Sequence, residues 1–207
     1  VTVRRGLAVG AAVCVALLLL ALGAAARPLL IADETEPAPV LGPVEIAFVQ
    51  DMIAHHQQAL LLTQRLADDV DPTVLLLARQ VADTQRTELG MMLGWLTLAR
   101  ATVTNPEPMA WMRASGHDHG SADTESVTMP GAVTQDELDR LAAARGRDAE
   151  ALFLRLMQRH HQGAVVMAQA ADRLLSNGPV KRTARDMITS QGQEAGLMGM
   201  MLARMQN

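Results

Sequence analysis

A chain of 207 residues with a formal charge of −4 and no sustained run of Lys or Arg has length enough for one ordinary domain plus extras. It lacks the electrostatic footprint that phosphate backbones or anionic lipid would need, which sets nucleic-acid binding aside. Its single cysteine, Cys14, lies near the N-terminus, tyrosine is absent, and all thirteen methionines and all six histidines fall after residue 50, so methionine serves either as core filler or as a soft-metal ligand.

In chain order, residues 4–27 read RRGLAVGAAVCVALLLLALGAAAR. Two arginines followed by about twenty apolar or small residues predict an export signal retained as a membrane anchor helix, with AAA at 24–26 as the alternative cleavage site. The arginines belong on the cytoplasmic side, so the rest is expected to face the periplasm or cell exterior, and to be secreted if 1–27 is removed as a signal peptide. DETEPAPVLGP at 33–43 has little to bury and reads as an extended tether, giving a linker over 28–43.

The folded domain is expected over 44–205. Phe48, Met52, His55 or Ala59, Leu62 and Leu66 recur at three- and four-residue steps, which predicts a first helix from Val44 toward Asp69. DDVDP at 68–72 breaks it, with Asp71 placed as a cap and Pro72 in the first turn of a second helix that runs to about 100–103. A long crossover follows over 104–147; within it TQDE at 134–137 is a capping box that starts a short helix. A third long helix is expected over about 148–176, and SNGP at 176–179 closes it and opens a fourth.

The chain repeats itself. Glu45, Phe48, Met52, His55, His56, Gln57, Ala59 and Gln64 recur as Glu150, Phe153, Met157, His160, His161, Gln162, Ala164 and Gln169 at an offset of 105, and Val74, Ala78, Arg79, Gln85, Glu88 and Met92 recur as Val180, Ala184, Arg185, Gln191, Glu194 and Met198 at an offset of 106. The unit is a helical hairpin, present over about 44–103 and again over about 148–205. Two hairpins, each with one apolar stripe, bury those stripes against one another; the predicted fold is all-α, duplicated helical hairpins forming a ferritin-like four-helix bundle with an approximate internal two-fold axis.

Adjacent histidines on a helix point in different directions. Neither His55 with His56 nor His160 with His161 chelates one ion alone, so ligands must come from a neighbouring helix, as the two-fold would allow; Glu88 and Glu194 approach from the second helix of each hairpin. A lone histidine on such a face is ordinarily a hydrogen-bonded core residue, but four in the same phrase, each pair with Met three residues upstream, favour metal. Imidazole with thioether suits copper; zinc takes imidazole but its usual ligand sets do not include methionine. Di-iron chemistry needs Glu-x-x-His pairs, and none occurs: Glu45, Glu88, Glu150 and Glu194 are followed at that spacing by Phe48, Met91, Phe153 and Leu197. Gln85 with Glu88 and Gln191 with Glu194 share a helical face, as register-fixing hydrogen-bonding groups or as part of the site. In the crossover, Met109, Met112, His117 and His119 are weaker loop candidates. With no exported cysteine, no nucleophile elbow and no phosphate-cradling loop, hydrolase chemistry has no residues to stand on.

FVQDMIAHHQQAL, FLRLMQRHHQGAVVMA and the paired TQRTELGMM and SQGQEAGLM resemble a bacterial family of exported proteins known as domain of unknown function number three hundred and five. The likeness covers about 43–205. It implies a duplicated four-helix domain, often membrane-attached or secreted, with some members binding copper and contributing to copper tolerance or delivery. By position it points to Met52, His55, His56, Met157, His160 and His161 as ligands, with Glu88, Met92, Glu194 and Met198 behind them. Two departures from the commonest phrase stand out: Asp51, one turn before His55, is expected to orient it, and Arg159 beside His160 to disfavour a cation nearby.

Three readings follow. The first is an extracytoplasmic, membrane-tethered protein that sequesters copper or delivers it to a copper-accepting protein. The second is a metal-free helical interaction module, an accessory subunit of a membrane protein complex whose histidines are interhelical hydrogen-bond partners. The third, a redox enzyme using bound copper, has the least behind it.

Overall fold

The computed structural model describes residues 2–30, 39–113 and 128–206. Among them all regular structure is helical: α1 (Thr2–Leu30), α2 (Pro43–Arg65), α3 (Pro72–Leu98), α4 (Ala110–Arg113), α5 (Gln135–Ala143), α6 (Gly146–Leu174) and α7 (Pro179–Gln206). His117 and His119 lie outside the described residues. Two compact units are distinct, Val1–Pro39 and Val40–Asn207.

The first unit corrects the expected membrane anchor. Among the described residues no helix is long and apolar enough to cross a membrane. The expected membrane-anchored localisation is corrected accordingly.

In the second unit, local chemistry sets the helix ends. Pro43 opens α2 in the first turn, where its missing N–H costs nothing, and Glu45 accepts from the Gly42 N–H at 2.7 Å. Asp71 caps α3 by accepting from the Thr73 N–H at 2.7 Å, with Pro72 behind it. Thr134 and Glu137 cap α5 reciprocally, at 3.2 and 2.9 Å, the pairing a capping box requires.

α2 packs on α3 and α6 on α7, and the two hairpins meet through α2 and α6; α4 and α5, from the crossover, lie on the α2 and α6 pair. The interior divides into two apolar clusters. Phe48, Met52, Met92, Leu96, Met109, Trp111, Met167 and Met187 belong to one; Leu62, Val74, Leu77, Leu141, Phe153, Leu154, Met157 and Met198 belong to the other. The first half of α2 thus shares a cluster with the second half of α6, and conversely, so the two helices run antiparallel. Burying a side chain such as Phe48 or Phe153, each essentially inaccessible, contributes about 1.5–3 kcal/mol.

The duplication shows in matched contacts. Glu150 of α6 accepts from the Asp71 N–H in the turn of the first hairpin at 2.8 Å, and a methyl placed on Gly178, in the turn of the second, would meet Glu45 Oε1 at 3.5 Å. Each hairpin's first helix therefore reaches the turn of the other.

Candidate metal centre

The four histidines sit midway along α2 and α6, between the two apolar clusters. His55 and His56 fall between Met52 and Ala59, and His160 and His161 between Met157 and Ala164, residues assigned to opposite clusters. All four imidazoles are fully buried, with Gln85 and Gln191 almost so. They form a polar layer between the two apolar clusters.

Each histidine uses Nε2. His56 Nε2 meets Glu88 Oε2 at 2.5 Å and His161 Nε2 meets Glu194 Oε2 at 2.7 Å, the same contact in each hairpin. His55 Nε2 meets the Pro130 carbonyl at 3.0 Å, and His160 Nε2 meets the His55 carbonyl at 3.0 Å. A carbonyl oxygen only accepts, so Nε2 of His55 and His160 carries the proton, and Nδ1 of the neutral ring is then a bare acceptor. The His55 and His160 rings lie against each other, centroids 3.8 Å apart and inclined at 38°, and the His160 and His161 centroids are 6.1 Å apart.

Electrostatics keeps the stacked pair neutral. Burial pulls His55 down to about 3 from the ordinary imidazole value, the Pro130 carbonyl opposing and the neighbouring histidines adding to the fall. Burial likewise holds His160 well below its ordinary value, with His55 the next cause.

The unusual feature is what has no partner. Nδ1 of His55, His56, His160 and His161 is buried without a hydrogen-bond partner, and so are both ends of the Gln85 and Gln191 amides. An unsatisfied buried polar group costs about 1–3 kcal/mol, and such groups ordinarily find partners. Here they recur at matched positions of both repeats. Their arrangement, with Nε2 held by a carboxylate or carbonyl and Nδ1 bare, is the one that orients a ligating imidazole.

The other predicted residues fall into place unevenly. Met52, Met92, Met157 and Met198 are fully buried, the first two on one side of the histidine layer and the last two on the other. Glu88 and Glu194 contact a histidine and keep part of their surface exposed. Among the described residues no three His, Cys, Asp or Glu side chains converge as a metal-binding group. Met109 and Met112 are buried beside Trp111 rather than lying on open backbone.

Asp51 does not orient His55. Its Oδ2 accepts from the Met109 N–H and Trp111 Nε1, both at 2.8 Å, and from Asn105 Nδ2 at 3.0 Å, so it pins the start of the crossover onto α2. Arg159 turns away from His160 and donates to both carboxylate oxygens of Glu137 at 2.7 Å; that contact holds the Glu137 carboxyl down at about 2, and the arginine's charge is answered by its own partner. The sequence carried no sign of the Pro130 contact or of the role of Asp51, because both join a non-periodic segment to a helix face far along the chain.

Two antiparallel copies of one helical hairpin, enclosing a layer of buried histidines backed by carboxylates, define the class of protein. The family described as Domain of unknown function (DUF305) matches residues 45–202, and the chain belongs to that family. A DUF305 protein of Streptomyces coelicolor is 35% identical, with 78% of this chain and 93% of that one covered and a TM-score of 0.69; a DUF305 fragment from Deinococcus radiodurans is 30% identical, with 79% and 97% covered and a TM-score of 0.64. CopM in its Cu(II)-bound form shares the fold at 23% identity, 77% and 96% coverage and a TM-score of 0.56. CopM has also been seen in Cu(I)-bound and Ag-bound forms. No curated protein matches the chain.

Proposed function

We propose that this chain binds copper in its interior and sequesters it or passes it to a copper-accepting protein. The observation that carries the reading is the set of four buried Nδ1 atoms without partners, each on an imidazole whose Nε2 is already held. His55, His56, His160 and His161 would be the nitrogen ligands. Since no three imidazoles and carboxylates converge among the described residues, a complete ligand set needs sulfur, from Met52 and Met92 on one side and Met157 and Met198 on the other. Thioether sulfur selects a soft ion, Cu(I) above zinc. Glu88 and Glu194 act behind His56 and His161, holding Nε2–H and raising the basicity of Nδ1. The likeness of fold to CopM is consistent with this, and the four long helices are read as a ferritin-like arrangement around the layer.

The test is elemental analysis of the full chain before and after anaerobic Cu(I) loading, beside a variant with all four histidines replaced by Ala. Tightly held copper that the variant loses supports the reading. A folded wild-type chain that holds no metal in either condition refutes it and leaves the histidines as interhelical hydrogen-bond partners of a metal-free interaction module.

A further inference from the structure

Residues 128–134 cross the histidine layer as a strap without helical structure. Gly131 adopts φ +72°, and a Cβ on it would lie 2.6 Å from the Arg159 carbonyl oxygen. The Ala132 carbonyl accepts from Arg159 at 3.2 Å, and the Val133 N–H donates to Gln58 Oε1 at 3.0 Å. The strap is therefore held by both α2 and α6.

At its centre is the Pro130 carbonyl, the acceptor for His55 Nε2. A Cβ on Gly163 would meet that same oxygen at 2.1 Å and the carbonyl carbon at 2.4 Å, with the Gly131 nitrogen at 2.7 Å. All three are backbone atoms, so no flexible side chain can yield; any side chain at 163 must displace the strap.

We propose that Gly163 is a positioning residue: having no side chain, it lets the Pro130 carbonyl reach His55 Nε2, and so decides which nitrogen of that imidazole is left as the bare acceptor. The repeat supports the assignment. Offset by 105, the counterpart of Gly163 is Gln58, the residue that bonds the strap from the other side. The counterpart of His55 is His160, whose Nε2 acceptor is not the strap but the His55 carbonyl in α2. One strap crosses a layer contributed by two repeats, and glycine in one with glutamine in the other makes room for it. Two histidines equivalent in sequence are thus set by different acceptors, one in a strap and one in a helix.

The inference deepens the copper reading and rests on it for its consequence, but the positioning itself is tested without metal. Side-chain nitrogen NMR of the metal-free full chain at neutral pH, assigned by single histidine replacements, reports the tautomer of each ring. In the wild type His55 and His160 are expected as the Nε2–H form. In Gly163→Ala, His55 should lose that form or mix tautomers while His160 keeps it. Gly192→Ala, where a Cβ meets nothing within 4 Å, should change neither. A folded Gly163→Ala with an unchanged His55 spectrum overturns the proposal. Should that variant fail to fold, Gln58→Ala, which releases the strap at Val133, decides in its place: an altered His55 tautomer supports the proposal and an unaltered one overturns it. Competition with a Cu(I) chelator then separates the two readings. With copper bound, Gly163→Ala should weaken affinity about 10- to 100-fold, the usual effect of losing such an outer contact. A wild type that holds no copper while its His55 tautomer responds leaves the positioning intact and removes the copper reading.

Discussion

His160 donates through Nε2 to the backbone carbonyl of His55, 3.0 Å away, while the two rings lie with centroids 3.8 Å apart. The His160 ring is thus fixed to the α2 backbone at His55 and packed against the His55 ring.

Stability should therefore fall on acidification. Burial places the folded His55 at about 3 and the folded His160 well below its ordinary value, whereas the unfolded chain titrates near the free imidazole value of about 6.5. Between these limits the unfolded state binds more protons. The stability is fully present above about pH 6.5 and is lost as pH falls toward about 3, at up to ~1.4 kcal/mol per pH unit for each ring. Asp51, raised by burial, works in the opposite sense near its own titration. Urea midpoints followed from neutral to mildly acid pH should show the decline, and His55→Leu with His160→Leu should flatten it; an equally steep decline in the double variant would assign the acid sensitivity elsewhere.

Glu88→Gln and Glu194→Gln keep an acceptor for the histidine Nε2 but remove its charge. With both carboxylates partly exposed, stability should change by no more than about 1 kcal/mol. Copper affinity, by contrast, should fall by about 10- to 100-fold. Chelator competition alongside thermal melts separates the two effects, and unchanged affinity in both variants would exclude these glutamates from the site.

Asp51→Ala leaves three donors without an acceptor, among them the N–H of the fully buried Met109. At about 1–3 kcal/mol for each unsatisfied group, and allowing for relaxation, a loss of about 3 kcal/mol is expected in urea unfolding. Cleavage by protease near residues 105–111 should increase. Copper stoichiometry should stay at the wild-type value, since this carboxylate holds the crossover rather than a histidine.

Gly192→Ala and Gly196→Ala place a methyl where nothing lies within 4 Å. Relieving a helix of glycine's backbone entropy should stabilise by about 0.5–1 kcal/mol each, or about 1–4 °C in Tm for a chain of this size. A fall in Tm would mean that those faces of α7 are occupied.

Much of this was legible in the sequence, for reasons that can be named. Asp71 before Pro72, the Thr134 and Glu137 pair, and Pro179 after a turn act within a few residues, and they stand as helix starts in the structure. The repeat brought His55, His56, His160 and His161 together because any packing of two like hairpins through their apolar stripes buries the same phrase twice. What the sequence concealed involves contacts between a helix face and a segment with no period. Asp51 looked like a neighbour of His55 because helical geometry was the only guide, whereas its partners are 54 to 60 positions along the chain. Met112 looked like a loop residue for the same reason, and its burial in a short helix depends on a tertiary contact.

Each apolar cluster takes one half of α2 and one half of α6, so neither hairpin carries a complete core of its own. A single hairpin with this pattern would expose half of each cluster to water, and would hold its shape only by pairing with a second copy. Unfolding must accordingly proceed as one event spanning both repeats. A chain severed within the crossover would yield two fragments, each incomplete alone and each the natural complement of the other.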